Sequence, residues 1–251
     1  MSMVKQSFGR LSLVGLAVAI LAASLVWLQT GSAQAAYADC PENKFCLYTQ
    51  AGGNGDMVAF SPGTELDYAA DPDLQGKTFV SVRNRTGLWG CLYDDPNYGG
   101  AGIQAVKPEQ PDDATPGADF STVTPASHKF AKSKSGCRTG FERCTATRVC
   151  IFKGPSGRGA AGVTVQTDDL GNGVLGNKDY SSTWDNLVVS VSNRSDKVAC
   201  FYPDPGYTGT FGSGGSAFRA YVVLPGEETT LPRLFRSYIS SHKLADSESK
   251  C

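Results

Sequence analysis

Two matching sets of four cysteines constrain this chain more than any other feature. Cys40, Cys46, Cys91 and Cys137 are separated by 6, 45 and 46 residues, and Cys144, Cys150, Cys200 and Cys251 by 6, 50 and 51. One four-cysteine unit is therefore used twice. Other landmarks repeat in step with it. Val80-Ser81-Val82-Arg83-Asn84-Arg85 returns as Val189-Ser190-Val191-Ser192-Asn193-Arg194. Ser127-His128-Lys129-Phe130-Ala131, ten residues before Cys137, returns as Ser241-His242-Lys243-Leu244-Ala245, ten before Cys251. The repeat predicts a first domain over 36–137, a short linker at 138–143 and a second domain over 144–251. At about 100 residues, each domain can hold its own core but gains from covalent staples.

An even number of cysteines in an exported chain reads as a disulfide framework. If each unit pairs internally, three connectivities remain per domain. The expected set is Cys40 with Cys46, Cys91 with Cys137, Cys144 with Cys150 and Cys200 with Cys251. The alternative leaves Cys46 and Cys150 as buried strand residues that pair elsewhere. Closing the long loop would stabilise each domain by roughly 4 kcal/mol in the chain-entropy picture.

The N-terminus supplies the export address. Lys5 and Arg10 precede an uncharged run from Leu11 to Leu28, and Ser32-Ala33-Gln34-Ala35 offers the small residues that a signal peptidase reads. Residues 1–35 are expected to be a secretory signal, which places the mature protein outside the cell. Removing Lys5 and Arg10 leaves 21 basic against 24 acidic residues, a net charge of about −3. No basic stripe is available to neutralise phosphates, so nucleic acid is a poor partner. No second long apolar run follows, so no membrane association is expected after cleavage.

A finer period runs inside each domain. Cys46-Leu47-Tyr48, Cys91-Leu92-Tyr93, Cys150-Ile151-Phe152 and Cys200-Phe201-Tyr202 are four versions of one triplet. Each is followed, seven residues after the aromatic, by Gly55, Gly100, Gly159 or Gly209, and 26 to 32 residues later by Ser81, Ser127, Ser190 or Ser241. The triplet starts a strand, and the glycine permits positive φ in a tightly folded hairpin that the aromatic covers. The serine hydroxyl can satisfy backbone groups at that turn. Short strands punctuated by Gly, Pro, Asn and Asp predict an all-β Greek-key sandwich.

These residues resemble a known family. Tyr93-x4-Tyr98-x-Gly100 and Tyr202-x4-Tyr207-x-Gly209 are similar to the βγ-crystallin Greek-key signature. Tyr48 and Phe152 keep the glycine spacing but have Gly53 and Gly157 in place of the second aromatic. The resemblance implies two tandem βγ-crystallin-like domains. Within that superfamily the cysteine pattern resembles the secreted metalloproteinase inhibitors of actinomycetes, which implies a partner that is an extracellular protease. Such inhibitors present a rigid loop anchored by the long-range disulfide, with the bond after a cysteine facing the enzyme. By resemblance the inhibitory bonds would be Cys91-Leu92 and Cys200-Phe201, whose large apolar residue suits a thermolysin-like specificity pocket. A disulfide-held loop binds without an ordering cost. The other function compatible with the sequence is a non-inhibitory adaptor that docks another secreted protein or a cell-surface polymer, and tandem domains suit either role.

The superfamily's calcium site takes paired Asn or Asp and then a hydroxyl before the Greek-key serine. Gly76-Lys77, Thr122-Val123 and Arg236-Ser237 lack the paired oxygens, and Asp185-Asn186 is followed by Val189 where the hydroxyl belongs. No metal and no cofactor are expected. Enzyme chemistry has little to work with. His128 and His242 occupy one repeat position beside the Greek-key serine, and no zinc spacing surrounds them. Gly154-Pro155-Ser156-Gly157-Arg158-Gly159 lacks the frame of a phosphate loop or a nucleophile elbow and reads as a folded hairpin. Asp94-Asp95 and Asp112-Asp113 read as solvated turn carboxylates. Asn84-Arg85-Thr86 and Asn193-Arg194-Ser195 fit the glycosylation sequon, but a turn preference of Asn explains them equally well.

Overall fold

The computed structural model describes residues 37–111, 113, 116–120, 123–166, 178–180, 182–212 and 217–251. The proposed signal segment, Asp112 and Thr122 lie outside the described residues. In the first half the strands are β1 (Phe45–Tyr48), β2 (Met57–Phe60), β3 (Ser81–Asn84), β4 (Trp89–Asp95), β5 (Gly99–Val106), β6 (Ala118–Asp119) and β7 (Ser127–Ala131). In the second half they are β8 (Arg148–Phe152), β9 (Ala161–Gln166), β10 (Lys178–Asp179), β11 (Ser190–Asn193), β12 (Val198–Tyr202), β13 (Tyr221–Val223), β14 (Glu228–Thr230) and β15 (Ser241–Ala245). No α-helix occurs among the described residues.

The strands pair antiparallel into sheets β2-β1-β3-β6 and β5-β4-β7, then β9-β8-β11-β14 and β13-β12-β15-β10. Each sheet takes three strands from one stretch of chain and an outer segment from the other stretch of the same domain: β6 pairs with β3, and β14 with β11. In the second domain β10 crosses to β15. In the first, Glu65 makes the same crossing, exchanging backbone hydrogen bonds with His128 at 2.9 and 2.8 Å. This exchange of third segments is a Greek-key connection, so the chain is two tandem Greek-key sandwiches.

Strand alternation explains the repeated triplet. Successive side chains point to opposite faces. Leu47, Leu92, Ile151 and Phe201 therefore enter the cores between the sheets, each 1% exposed or less. The flanking cysteine and aromatic lie on the other face. Cys46 and Tyr48, Cys91 and Tyr93, Cys150 and Phe152, and Cys200 and Tyr202 form four small clusters there. Disulfides join Cys40 to Cys46, Cys91 to Cys137, Cys144 to Cys150 and Cys200 to Cys251.

One polar arrangement recurs in all four motifs. The Ser81 hydroxyl donates to the Gln50 carbonyl at 2.7 Å and accepts from the Gly53 N–H at 3.1 Å. Ser127 does the same with the Asp95 carbonyl and the Tyr98 N–H. Ser190 bridges Gly154 and Gly157, and Ser241 bridges Asp204 and Tyr207. The folded hairpins need left-handed backbone, and Gly55, Gly100, Gly159 and Gly209 all have φ between 74° and 82°.

Gly53 and Gly157 stand where the other two motifs have Tyr98 and Tyr207, and the structure supplies the reason. A Cβ on Gly53 would meet the Tyr37 ring at 2.5 Å, and one on Gly157 would meet the Phe141 backbone at 2.4 Å. Tyr37 packs edge-on against Tyr48 at 5.4 Å, and Phe141 against Phe152 at 5.7 Å. In the other two motifs Tyr98 covers Tyr93 in a tilted contact at 5.1 Å and Tyr207 packs edge-on against Tyr202 at 5.9 Å. The covering aromatic thus comes from upstream of the unit in half of the motifs. Both upstream rings sit three residues before a cysteine.

His128 is 2% exposed among the rings of Phe45, Phe60 and Phe130, with its Nδ1 hydrogen-bonded to the Tyr68 hydroxyl at 2.8 Å. Burial pushes its pKa down to about 4 from 6.5. Between those values the unfolded chain binds more protons than the native one, so stability is full above pH 6.5 and falls as pH drops toward 4, by about 3 kcal/mol in all. Urea unfolding at pH 7 and pH 4.5 is expected to show His128→Gln losing about 2 kcal/mol less than the parent chain over that interval. Equal losses would show that this histidine is not buried neutral.

Candidate functional site

Cys91 and Leu92 lie in the middle of β4, which is paired on both edges. Cys91 faces Ala105 of β5 and Lys129 of β7, and Leu92 faces Gln104 and His128. Cys200 and Phe201 lie likewise in β12, between Val222 and Tyr221 of β13 and Lys243 and His242 of β15. All four residues are 0% exposed. A peptidase cleft takes an extended segment with a free edge and a side chain that can enter a pocket. Neither bond offers either while its sheet is intact. Cys91-Leu92 and Cys200-Phe201, the bonds expected to face the enzyme, lie inside their sheets, with Leu92 and Phe201 in the cores of the two sandwiches. Leu92→Ala is expected to cost 2–5 kcal/mol of stability in urea unfolding, the usual range for a buried leucine, and a cost below about 1 kcal/mol would contradict the core assignment.

Other disulfide-held segments are exposed. Between Cys40 and Cys46 the residues Pro41, Glu42 and Asn43 face solvent, and between Cys144 and Cys150 so do Thr145, Ala146 and Thr147. Each loop is fixed at its base. The Arg85 N–H donates to the Lys44 carbonyl at 2.9 Å, and its guanidinium donates to the Cys40 carbonyl at 2.7 Å. The Arg194 N–H donates to the Arg148 carbonyl at 2.8 Å, and the Thr147 N–H to the Arg194 carbonyl at 3.0 Å. Asn43 and Thr147 occupy one repeat position with φ of 59° and 66°. Asn tolerates this left-handed region; a β-branched residue resists it, at a cost of order 1–3 kcal/mol. Thr147 is held there by its surroundings, which makes 144–150 a preorganised loop.

Segment 138–143, expected as a linker, is packed. Phe141 is buried against Phe152, and the Arg143 guanidinium lies over the rings of Tyr98 at 5.0 Å and Phe152 at 5.2 Å. It also donates to the carbonyls of Gly157 and Gly159 at 2.6 and 2.7 Å. Lys129 pairs with Glu142 at 2.5 Å and donates to the Thr139 carbonyl. Burial pulls the pKa of Arg143 down, and that of Lys129 too, with the Glu142 carboxylate acting against the second shift.

The remaining sequence features resolve as structure. Asn84 and Asn193 are 2% and 0% exposed, and their amides donate to the Leu88 and Val106 carbonyls and to the Lys197 and Val223 carbonyls. The folded sequons are closed to modification. Asp94 accepts from the Gly102 N–H at 2.8 Å, and Asp113 pairs with Lys107 at 2.6 Å. Residues 154–159 form the hairpin closed by Ser190. Among the described residues no three His, Cys, Asp or Glu side chains gather in a metal-binding arrangement. Asp185 and Asn186 hydrogen-bond each other at 3.2 Å.

Both domains thus carry an exposed, disulfide-closed loop on an all-β frame. The chain belongs to peptidase inhibitor family I36, whose profile matches residues 33–105 and again 138–213, once in each domain. The family is one of inhibitors, not of enzymes. Among curated proteins no match is found. Among solved structures the chain is similar to geodin, a beta-gamma crystallin from Geodia cydonium, at 15% identity and a TM-score of 0.33, covering 80% of this chain and 98% of that one. It is also similar to protein S complexed with calcium, at 12% identity and a TM-score of 0.29, covering 81% and 99%.

Proposed function

We propose that residues 1–35 export the chain and that the mature protein, built from domains 36–137 and 144–251 joined through 138–143, inhibits an extracellular metallopeptidase. The disulfide-anchored segment that meets the enzyme is Cys144–Cys150, with Thr145, Ala146 and Thr147 at its tip. Family membership in both domains supports inhibition as such. The single observation that carries the choice of loop is the exposed run of three residues closed by a disulfide and held at Thr147 in left-handed backbone. A loop already in its bound shape loses little entropy on docking. The metallopeptidase class rests on the cysteine-pattern resemblance alone. A docking role without inhibition is the second reading, favoured by the exposed apolar side chains Leu187, Phe218, Leu224, Leu234 and Tyr238 of the second domain, against Leu66 alone among the described residues of the first.

Titration of the oxidised mature chain against thermolysin-like, subtilisin-like and trypsin-like peptidases tests the proposal. Stoichiometric inhibition of the first is expected. Replacing Thr145-Ala146-Thr147 with three glycines should weaken it about a hundredfold or more by returning the ordering cost. No inhibition of any of the three at micromolar excess would overturn the inhibitor reading, and undiminished inhibition by the loop variant would overturn the choice of loop.

A further inference from the structure

The sandwich of the first domain ends on one long open edge. β5 is the outer strand of sheet β5-β4-β7 and, at eight residues, the longest strand described. It contains neither Lys nor Pro, the residues that commonly blunt an edge. Besides its ladder to β4, side chains reach its backbone at three points: Asp94 at the Gly102 N–H, Arg158 at the Gly100 carbonyl and Asn84 at the Val106 carbonyl. The stretch from Ile103 to Ala105 is left as a template for another strand.

A groove of about 470 Å³ runs along this edge, lined by Ile103, Gln104 and Ala105 of β5 together with Lys134, Arg138 and Arg158. Among the described residues no acidic side chain lines it. Lys134 and Arg138 are exposed and make no ion pair among the described residues, and the Lys134–Arg138 turn that carries them is tied to β4 by the Cys91–Cys137 disulfide. Arg158 reaches the groove from the second domain and donates to the Gly100 carbonyl at 3.3 Å. Its Nε is shielded from solvent and has no acceptor among the described residues, so a peptide would meet the guanidinium at its terminal nitrogens, for which a carboxylate is the natural complement. The groove thus has three positive charges on a rigid frame and unpaired backbone beside them.

We infer that this groove binds an extended, acidic peptide segment of a partner protein, which adds to β5 as an antiparallel or parallel strand and places its carboxylates on Arg158, Arg138 and Lys134. Backbone pairing supplies affinity, and the cations select for acidic side chains. The site is separate from the Cys144–Cys150 loop and does not depend on the peptidase reading.

The test uses the oxidised mature chain and three blocked hexapeptides in which valine alternates with glutamate, glutamine or lysine. Calorimetry is expected to show binding of the glutamate peptide, weakened by salt, with slowed exchange of the Gln104 amide by NMR. The exposed double variant Lys134→Gln/Arg138→Gln should bind it about tenfold more weakly or worse, and Arg158→Gln gives a second reading of the same site. No binding of the glutamate peptide at millimolar concentration, or equal binding of all three peptides, would overturn the inference. So would inorganic phosphate occupying Arg158 while the peptide does not bind, or self-association through β5 that competes with the peptide. A chain that inhibits a peptidase but ignores the peptide refutes this inference alone, whereas one that binds the peptide and inhibits nothing refutes only the peptidase reading.

Discussion

The structure depends on one hydrogen-bonded clamp used four times: a buried serine hydroxyl that donates to the first carbonyl of a folded hairpin and accepts from an N–H inside it. The hairpin turns through left-handed backbone, so it cannot form its own ladder there and leaves polar groups facing the interior. The serines are 0% exposed, and without them each hairpin would bury an unmet donor and acceptor at about 1–3 kcal/mol apiece. The clamp also fixes register. Ser81, Ser127, Ser190 and Ser241 each begin a strand of their sheet, so locking the hairpin to the serine locks β3, β7, β11 and β15 to their neighbours. The cores between the sheets then close with the middle residue of every Cys-apolar-aromatic triplet inside.

That frame determines what remains for function. Everything within the triplets is spoken for, including the two bonds that resemblance pointed to. What the frame exposes is held at its margins: the close-pair disulfide loops at the start of each domain, and the outer edge of β5 at the domain junction. Arg143 and Arg158 join the halves there. The first lies over an aromatic ring from each domain, and the second crosses to a carbonyl of β5. Rigidity of this kind suits an inhibitor, because the cost of ordering the contact surface is met during folding.

Much of the architecture was legible in the sequence. The doubled cysteine spacing, the glycine seven residues after each aromatic and the serine that follows led to an all-β tandem Greek-key fold with the hydroxyl at the turn. The same triplets also held the information that Leu92 and Phe201 are core residues. Leu47 and Ile151 occupy the same place in motifs with no claim to reactivity, and strand alternation sends all four inward. Tyr37 and Phe141 went unread although both stand three residues before a cysteine, because their role appears only when Gly53 and Gly157 are seen to leave room for them. Asn84 and Asn193 read equally as sequons or turns until their burial decided it. The groove beside β5 was not legible, since Lys134, Arg138, Arg158 and the strand edge meet only through the disulfide and the packing of the two domains.

The central claim is that the contact with a peptidase is made by an exposed disulfide loop, and not by the buried bonds of β4 and β12. Hydrogen exchange of the oxidised chain, free and saturated with the metallopeptidase it inhibits, tests this most directly. New protection is expected at the loop-tip amides of Thr145 and Ala146, with the amides of β4 and β12 as slow in the complex as in the free chain. Accelerated exchange through β4 or β12, or cleavage at Cys91-Leu92 or Cys200-Phe201 in the complex, would contradict it.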